Sequence, residues 1–213
     1  MRHTRTKLLF GEEAHLKLQN AKILLLGVGG VGSFCLDCLY RSGVRDITII
    51  DFDRYDVTNQ NRQMHSESHE GELKVEALKQ HYPEVIALSE KITPDWVEAF
   101  DFEPYDLVLD AIDDMWAKIA LIQKCYPKLI CSVGSAKRLD PTKIEVRSIW
   151  KTEGDPFASK LRNELRKRKF KAKFDCICSS ELPRIKEKGS FVAVTGAFGL
   201  AMCSLALRKL IKE

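Results

Sequence analysis

The sequence predicts an α/β protein with a Rossmann-like, doubly wound and mainly parallel sheet. Three observations carry that expectation. A leucine-rich run enters a glycine turn in ILLLGVGGVG (23–32), with glycines at Gly27, Gly29, Gly30 and Gly32. The next apolar run ends in two carboxylates, Asp51 and Asp53. Strand-like and helix-like segments then alternate along most of the chain, the order that builds parallel sheets through right-handed crossovers.

Residues 11–20 read as a short amphipathic helix ahead of a first strand at 22–26. Residues 31–42 form the helix leaving the glycine turn, with Gly43 placed to cap its end. Residues 47–50 are a second strand, apolar throughout as expected where both faces are covered. The polar stretch 56–68 has no periodicity and is long for a connection, and such loops often carry function. Residues 72–81 return to helix, 85–92 to strand and 94–100 to a short helix.

A third core strand, 105–110, ends in acid; a helix over 116–126 and a strand over 129–133 follow it. Strand-like alternation recurs at 144–150. The last stretch, 191–211, is rich in Ala, Gly, Leu and Met and reads as a buried helix, with Arg208, Lys209 and Lys212 at its polar end.

A chain of 213 residues suffices for one well-buried domain, so 1–213 is read as a single unit. Its net charge of +4 is too small to imply a polyanionic partner; only the distribution of charge could do so. No apolar run approaches the roughly 20 residues of a membrane span, and the N-terminal residues lack a signal-peptide core. The expectation is a cytoplasmic protein without a transmembrane segment. Seven cysteines, an odd number, then favour reduced thiols over a disulfide framework. Cys35 and Cys38 fall inside a helical segment and read as small buried hydrophobes. Cys176 and Cys178 have no second pair behind them, which argues against a four-ligand zinc site.

The glycine turn lets backbone approach phosphates at a helix N-terminus that favours negative charge. Asp51, about 20 residues on, is placed to accept hydrogen bonds from ribose hydroxyls. By itself this motif would suggest a bound NAD. The loops beyond it point elsewhere. Asn59, Asn61, Arg62 and Gln63 follow the second strand, Lys74 opens the next helix, and Asp110 and Asp113 follow the third. In an open parallel sheet these carboxyl-end loops face one crevice. Arg and Lys would meet a triphosphate, and a carboxylate would hold a phosphate-bridging Mg2+, equipment for nucleotidyl transfer. Taken singly, Arg62 could form a surface salt bridge, Lys74 could be solvated, and Asp113 could cap a helix.

GVGGVGS, IDFD, VTNQNRQ, the Gly71–Lys74 spacing and DAID at 110–113 together resemble the ThiF/MoeB/ubiquitin-activating-enzyme superfamily. Within it, VTNQNRQMH, LDAIDD, DPTKIEV at 140–146 and KTEGDPFASKLRNELRK from 151 are most similar to the tRNA threonylcarbamoyladenosine dehydratases. The resemblance covers nearly the whole chain. It implies a ThiF/MoeB-type adenylation domain that binds ATP through Gly29, Asp51, Asp53, Asn59, Arg62, Gln63 and Lys74. It also implies Mg2+ on Asp113, and a homodimer in which Arg5 reaches the partner's ATP site. The implied reaction activates the threonine carboxylate of threonylcarbamoyladenosine in tRNA with ATP, after which the carbamoyl oxygen closes a ring.

The resemblance further points to a cysteine desulfurase or sulfur-acceptor system as a partner. Lys188-Gly-Ser-Phe, however, lacks the cysteine that would serve a relay at that position. Asp113-Asp114 stands where the superfamily usually has Asp-Asn, and the paired C-x-x-C zinc motifs of the MoeB branch are absent.

A basic run, Lys160, Arg162, Arg166, Lys167, Arg168 and Lys169, lies within a substrate-facing segment at about 151–190. A solvated helix face is its plain reading; a tRNA substrate would make it a phosphate-binding surface. Two other functions fit the same motifs. One is adenylation of the C-terminal glycine of a ubiquitin-like sulfur carrier, and the other is a noncatalytic nucleotide-binding scaffold.

Overall fold

The computed structural model describes residues 2–187 and 189–211, which leaves Lys188 and Lys212 outside the described residues. Two short helices, α1 (Thr4–Phe10) and α2 (Glu12–Asn20), precede the sheet. Then follow β1 (Lys22–Leu26), α3 (Gly32–Ser42), β2 (Asp46–Ile50), α4 (Lys74–His81), β3 (Ile86–Leu88) and α5 (Pro94–Ala99). The second half runs β4 (Leu107–Asp110), α6 (Met115–Cys125), β5 (Leu129–Ser132), β6 (Ile144–Ser148), α7 (Pro156–Lys167), β7 (Asp175–Ser179) and α8 (Val192–Ile211).

The seven strands lie in the order β3-β2-β1-β4-β5-β7-β6. All neighbours are parallel except the edge pair β6 and β7. The chain winds outward from β1 in one direction and from β4 in the other. That reversal opens a crevice at the carboxyl ends of the two central strands, where ligands of such sheets bind.

Period-two alternation sends β1 side chains into both layers. Ile23 and Leu25 join one core with Leu36 and Leu39 of α3, Leu78 of α4, and Phe198 and Met202 of α8. Leu24 and Leu26 join the other, with Val97 of α5, Ile119 and Ile122 of α6, and Leu161 and Leu165 of α7. Each fully buried Leu or Ile contributes about 1.5–3 kcal/mol. A strand covered on both faces therefore has no register that would leave it exposed at low cost.

Several boundaries differ from the sequence reading for identifiable reasons. α4 starts at Lys74 rather than 72, because Leu73 is extended and bridges to Arg54. β3 keeps only the three residues that pair with β2. β6 stops at Ser148, where the chain enters a 3-10 turn. β7 is an unforeseen strand, DCICS, in which Cys176 and Cys178 act as small buried hydrophobes. α1 is a further helix, and none of its residues is buried.

Two expectations are corrected. Cys38 is not a free thiol: it pairs with Cys203, linking α3 to α8, while Cys35 stays free and buried. α3 and α8 pack side by side, with Gly199 of α8 close against Val31 and Cys35, and this brings the two sulfurs together. The other correction is that α8, at 20 residues, is long and apolar enough to cross a membrane by length and composition. Half of its residues are buried, against α3 and the sheet.

Candidate nucleotide-binding cleft

The carboxyl ends of β1, β2, β4 and β5 open into a cleft of about 880 Å3. Gly27, Gly29 and Gly30 form one wall. Gly27 has φ +82°, and a Cβ there would come within 2.9 Å of the Ala111 carbonyl oxygen. A Cβ at Gly32 would collide with the Gly27 carbonyl, so Gly32 shapes the turn without itself lining the cleft. At Gly30 a Cβ would press on the Arg62 side chain at 3.3 Å, within the space the cleft keeps open.

Asp51 is held rigidly at the end of β2. Its two oxygens accept from the backbone N–H groups of Val28 and Asp53, each at 2.9 Å. Burial raises its pKa, while the neighbouring Lys74 ammonium pulls the other way. Asp53 accepts from Lys74 Nζ at 2.9 Å, and the Lys74 side chain is almost wholly shielded. This pair carries a positive charge to the cleft wall on a stem that has little freedom to move.

The loop after β2 is built as a one-turn cap. Asp56 accepts from the Thr58 N–H and donates its own backbone N–H to Asn59 Oδ1. That fixes the turn from which Asn59, Arg62 and Gln63 line the cleft. Arg62 Nη1 donates to Thr58 O and Asn61 Oδ1, which orients the guanidinium, and among the described residues no acid pairs with it. Gln63 Oε1 is buried without a hydrogen-bond partner, an acceptor left for a ligand. Asn61 is not in the lining; its Nδ2 donates to Ser190 O at 3.0 Å and ties this loop to the segment before α8.

After β4 the acids divide. Asp113 and Asp114 line the cleft and are exposed. Asp114 also caps α6, accepting from Trp116 N and Ala117 N. Asp110, expected to touch the nucleotide, instead lies wholly buried beneath the cleft. It accepts from Lys118 Nζ at 2.6 Å and from Ile112 N at 3.2 Å. At the end of a strand covered on both faces, its carboxylate meets a helix rather than the crevice. Burial would lower the Lys118 pKa, but Asp110 and the Cys131 thiol outweigh it and the net shift is upward.

Sequence reasoning missed Lys118. Its signal was a lysine inside the apolar run WAKIALI, eight residues after an acid-ended strand. Arg138 and Asp155 were missed as well. Asp155 accepts from Gly134 N and caps α7, and Arg138 Nη2 lies 3.7 Å from it; both line the cleft and are buried. The Asp155-Pro156 step, an N-cap followed by proline at the first helical position, was the legible clue.

Arg5 sits exposed on α1 and is not among the residues lining this cleft. Of the basic run, only Lys160 lines it. Arg162 donates to Thr152 Oγ1, Arg166 lies 5.6 Å from the Trp150 ring, and Lys167 and Arg168 both pair with Glu164. Lys169 leaves the helix at φ 57°. Among the described residues no three His, Cys, Asp or Glu side chains are grouped to cage a metal. Asp113 with Asp114 beside it suits a Mg2+ shared with phosphates, which needs only one or two carboxylates from the protein.

Comparison with known proteins agrees with this geometry. The model of the ThiF family matches residues 2–213. The tRNA threonylcarbamoyladenosine dehydratase of Bacillus subtilis is 40% identical over 190 residues, covering 84% of this chain and 75% of that protein. Its Escherichia coli namesake is 32% identical over 248 residues, covering 98% and 92%. The crystal structure of the E. coli enzyme, TcdA, in complex with ATP superimposes with a TM-score of 0.91 at 36% identity, covering 98% of this chain and 93% of that one.

Proposed function

This chain belongs to the ThiF family, and from that premise we propose that it uses ATP to dehydrate threonylcarbamoyladenosine in tRNA. The observation that carries the reading is the convergence of Arg62, Lys74 and Asp113 on the glycine turn, in a cleft of nucleotide size. The relatives named for this activity at 32% and 40% identity support the choice of substrate.

In this reading the threonine carboxylate attacks the α-phosphate of ATP and pyrophosphate leaves. The carbamoyl oxygen then attacks the activated carbonyl, closing a ring and releasing AMP. A carboxylate is a poor electrophile until one oxygen becomes a leaving group, and the nucleophile of the second step belongs to the substrate. The protein's task is therefore to position groups and neutralise charge. Asp51 accepts from the ribose, the α3 N-terminus and Arg62 face the phosphates, and Lys74, steadied by Asp53, meets charge that builds on the leaving pyrophosphate. Asp113 is the carboxylate that would hold Mg2+, which when bound offsets phosphate charge.

The same reading includes a homodimer in which Arg5 acts on the partner's cleft. Its support is the bare α1, where Leu8 and Leu9 are 82% and 79% exposed. It also includes a single domain whose segment 151–190 faces the tRNA, and a cytoplasmic setting where tRNA and ATP meet. A sulfur-transfer partner has less support, since Cys176 and Cys178 are both buried.

The test is to incubate the protein with ATP, Mg2+ and tRNA bearing threonylcarbamoyladenosine, then weigh the nucleoside. Loss of the mass of one water is expected. An unchanged nucleoside despite demonstrated ATP binding overturns the substrate assignment. Pyrophosphate exchange that needs a ubiquitin-like carrier rather than tRNA would reassign the chemistry.

A further inference from the structure

Trp116 is half exposed, at 51%, in the first turn of α6. That is unusual for an indole, the largest apolar ring a side chain carries, and nothing in the ATP chemistry uses it. Its backbone N–H donates to Asp114 Oδ1, and it follows the cleft-lining pair Asp113 and Asp114 by three and two residues. The Arg168 guanidinium lies 5.4 Å from the indole centroid. Arg168 is itself steadied by Glu164 Oε2 at 2.9 Å. A planar cation from the C-terminal end of α7 and an exposed aromatic from the first turn of α6 are thus held together, close in the chain to the cleft-lining Asp114.

We infer that Trp116 and Arg168 form a stacking pad for an unpaired base of the RNA substrate, outside the nucleotide cleft. The inference rests on the function proposed above and deepens it. A carboxylate that reaches the α-phosphate is tethered by a few bonds to its purine, so that base and its neighbours must sit at the cleft mouth. Single-stranded loops are the part of an RNA whose bases can be splayed onto aromatic rings and guanidinium planes. Arg pairs with both phosphate and base faces, whereas Lys offers only a point charge. Lys160, two turns earlier on α7, lines the cleft itself and adds a positive charge between the two sites. The same pairing does not suit duplex RNA, whose bases present no open face.

The experiment measures binding of a stem-loop RNA carrying threonylcarbamoyladenosine to wild type, Trp116→Ala, Trp116→Phe and Arg168→Ala. ATP-induced thermal shifts of the same proteins report folding and cleft integrity. Trp116→Ala should weaken the RNA by about 5- to 150-fold, the range for losing one base–aromatic stack. Trp116→Phe should retain most of the affinity, and the ATP shift should persist in all variants. Equal RNA affinity for wild type and Trp116→Ala overturns the pad and leaves the proposed function standing. A Trp116→Phe protein as weak as Trp116→Ala also overturns it, because stacking would then not be the cause. Wild type that binds ATP but not the RNA overturns both.

Discussion

Lys118 Nζ lies 2.6 Å from Asp110 Oδ2, and both side chains are completely shielded from water. Lys118 also donates to Ser132 O, and Asp110 accepts from Ile112 N. One buried pair thus fastens α6 to the ends of β4 and β5 and holds the turn that presents Asp113. Removing one partner strands the other charge. Lys118→Met should therefore cost about 3–5 kcal/mol, read as a fall in the urea midpoint. Adding Asp110→Leu to that variant should recover part of the loss; no recovery would mean the pair is not what Lys118 contributes.

Asp113 and Arg62 sit at the cleft rather than in the core, so replacing them should spare the fold. Asp113→Ala and Arg62→Ala should keep the melting temperature, since surface changes stay within about 0.5 kcal/mol. ATP consumption in the presence of substrate RNA should fall about 100-fold or more, the scale of deleting one preorganised charge-stabilising group. Unaltered turnover in both variants would take Arg62 and Asp113 out of the ATP chemistry, and absence of any turnover in the wild type would favour a nucleotide-binding scaffold.

His65 has φ 64° and stacks on His81 at 3.6 Å. Burial and the neighbouring His81 lower its pKa below 6.5, with Asp37 opposing and Tyr82, His69 and Arg41 nearby. A native state that resists protonation binds fewer protons than the unfolded chain below that value. Stability should therefore drop as pH falls through about 6.5 and hold above it. His65→Asn, which tolerates positive φ, should flatten the urea midpoint against pH over that window. His3, lowered by its own burial and Arg45, would account for any slope that remains.

The basic run should not act as a uniform patch. Lys167 and Arg168 share Glu164, whereas among the described residues no acid is paired with Lys169 or with Lys171, two residues beyond the run. Lys169→Ala and Lys171→Ala should each reduce the slope of log Kd against log salt by about 1 for tRNA. Lys167→Ala should change it less, because freeing Glu164 leaves Arg168 still bound to it. An unchanged slope in every variant would return the run to a solvated helix.

The alternation of strands and helices was legible because its causes are local. Leu24 and Leu25 are both apolar whichever layer each enters, and at Gly27 and Gly32 the neighbouring backbone leaves no room for a Cβ. Asp51, Arg62, Lys74 and Asp113 could be placed at one crevice from topology alone, since carboxyl-end loops of a parallel sheet share a side. β7 was not legible, because five residues with two cysteines carry too short an apolar pattern to separate a strand from a loop.

The sequence by itself determined the doubly wound fold and the presence of a charge-lined cleft at the glycine turn. Only the tertiary structure decided which charges serve it. Asp110 and Asp113 are three residues apart and look alike in the sequence, but one is walled in with Lys118 and the other opens to the cleft. Cys38 reads like Cys35 until α8 brings Cys203 against it. The physical reason is common to both cases. Burial and pairing depend on elements distant in the chain, and a local pattern carries the type of a side chain but not the neighbour that fixes its charge, its partner and its use.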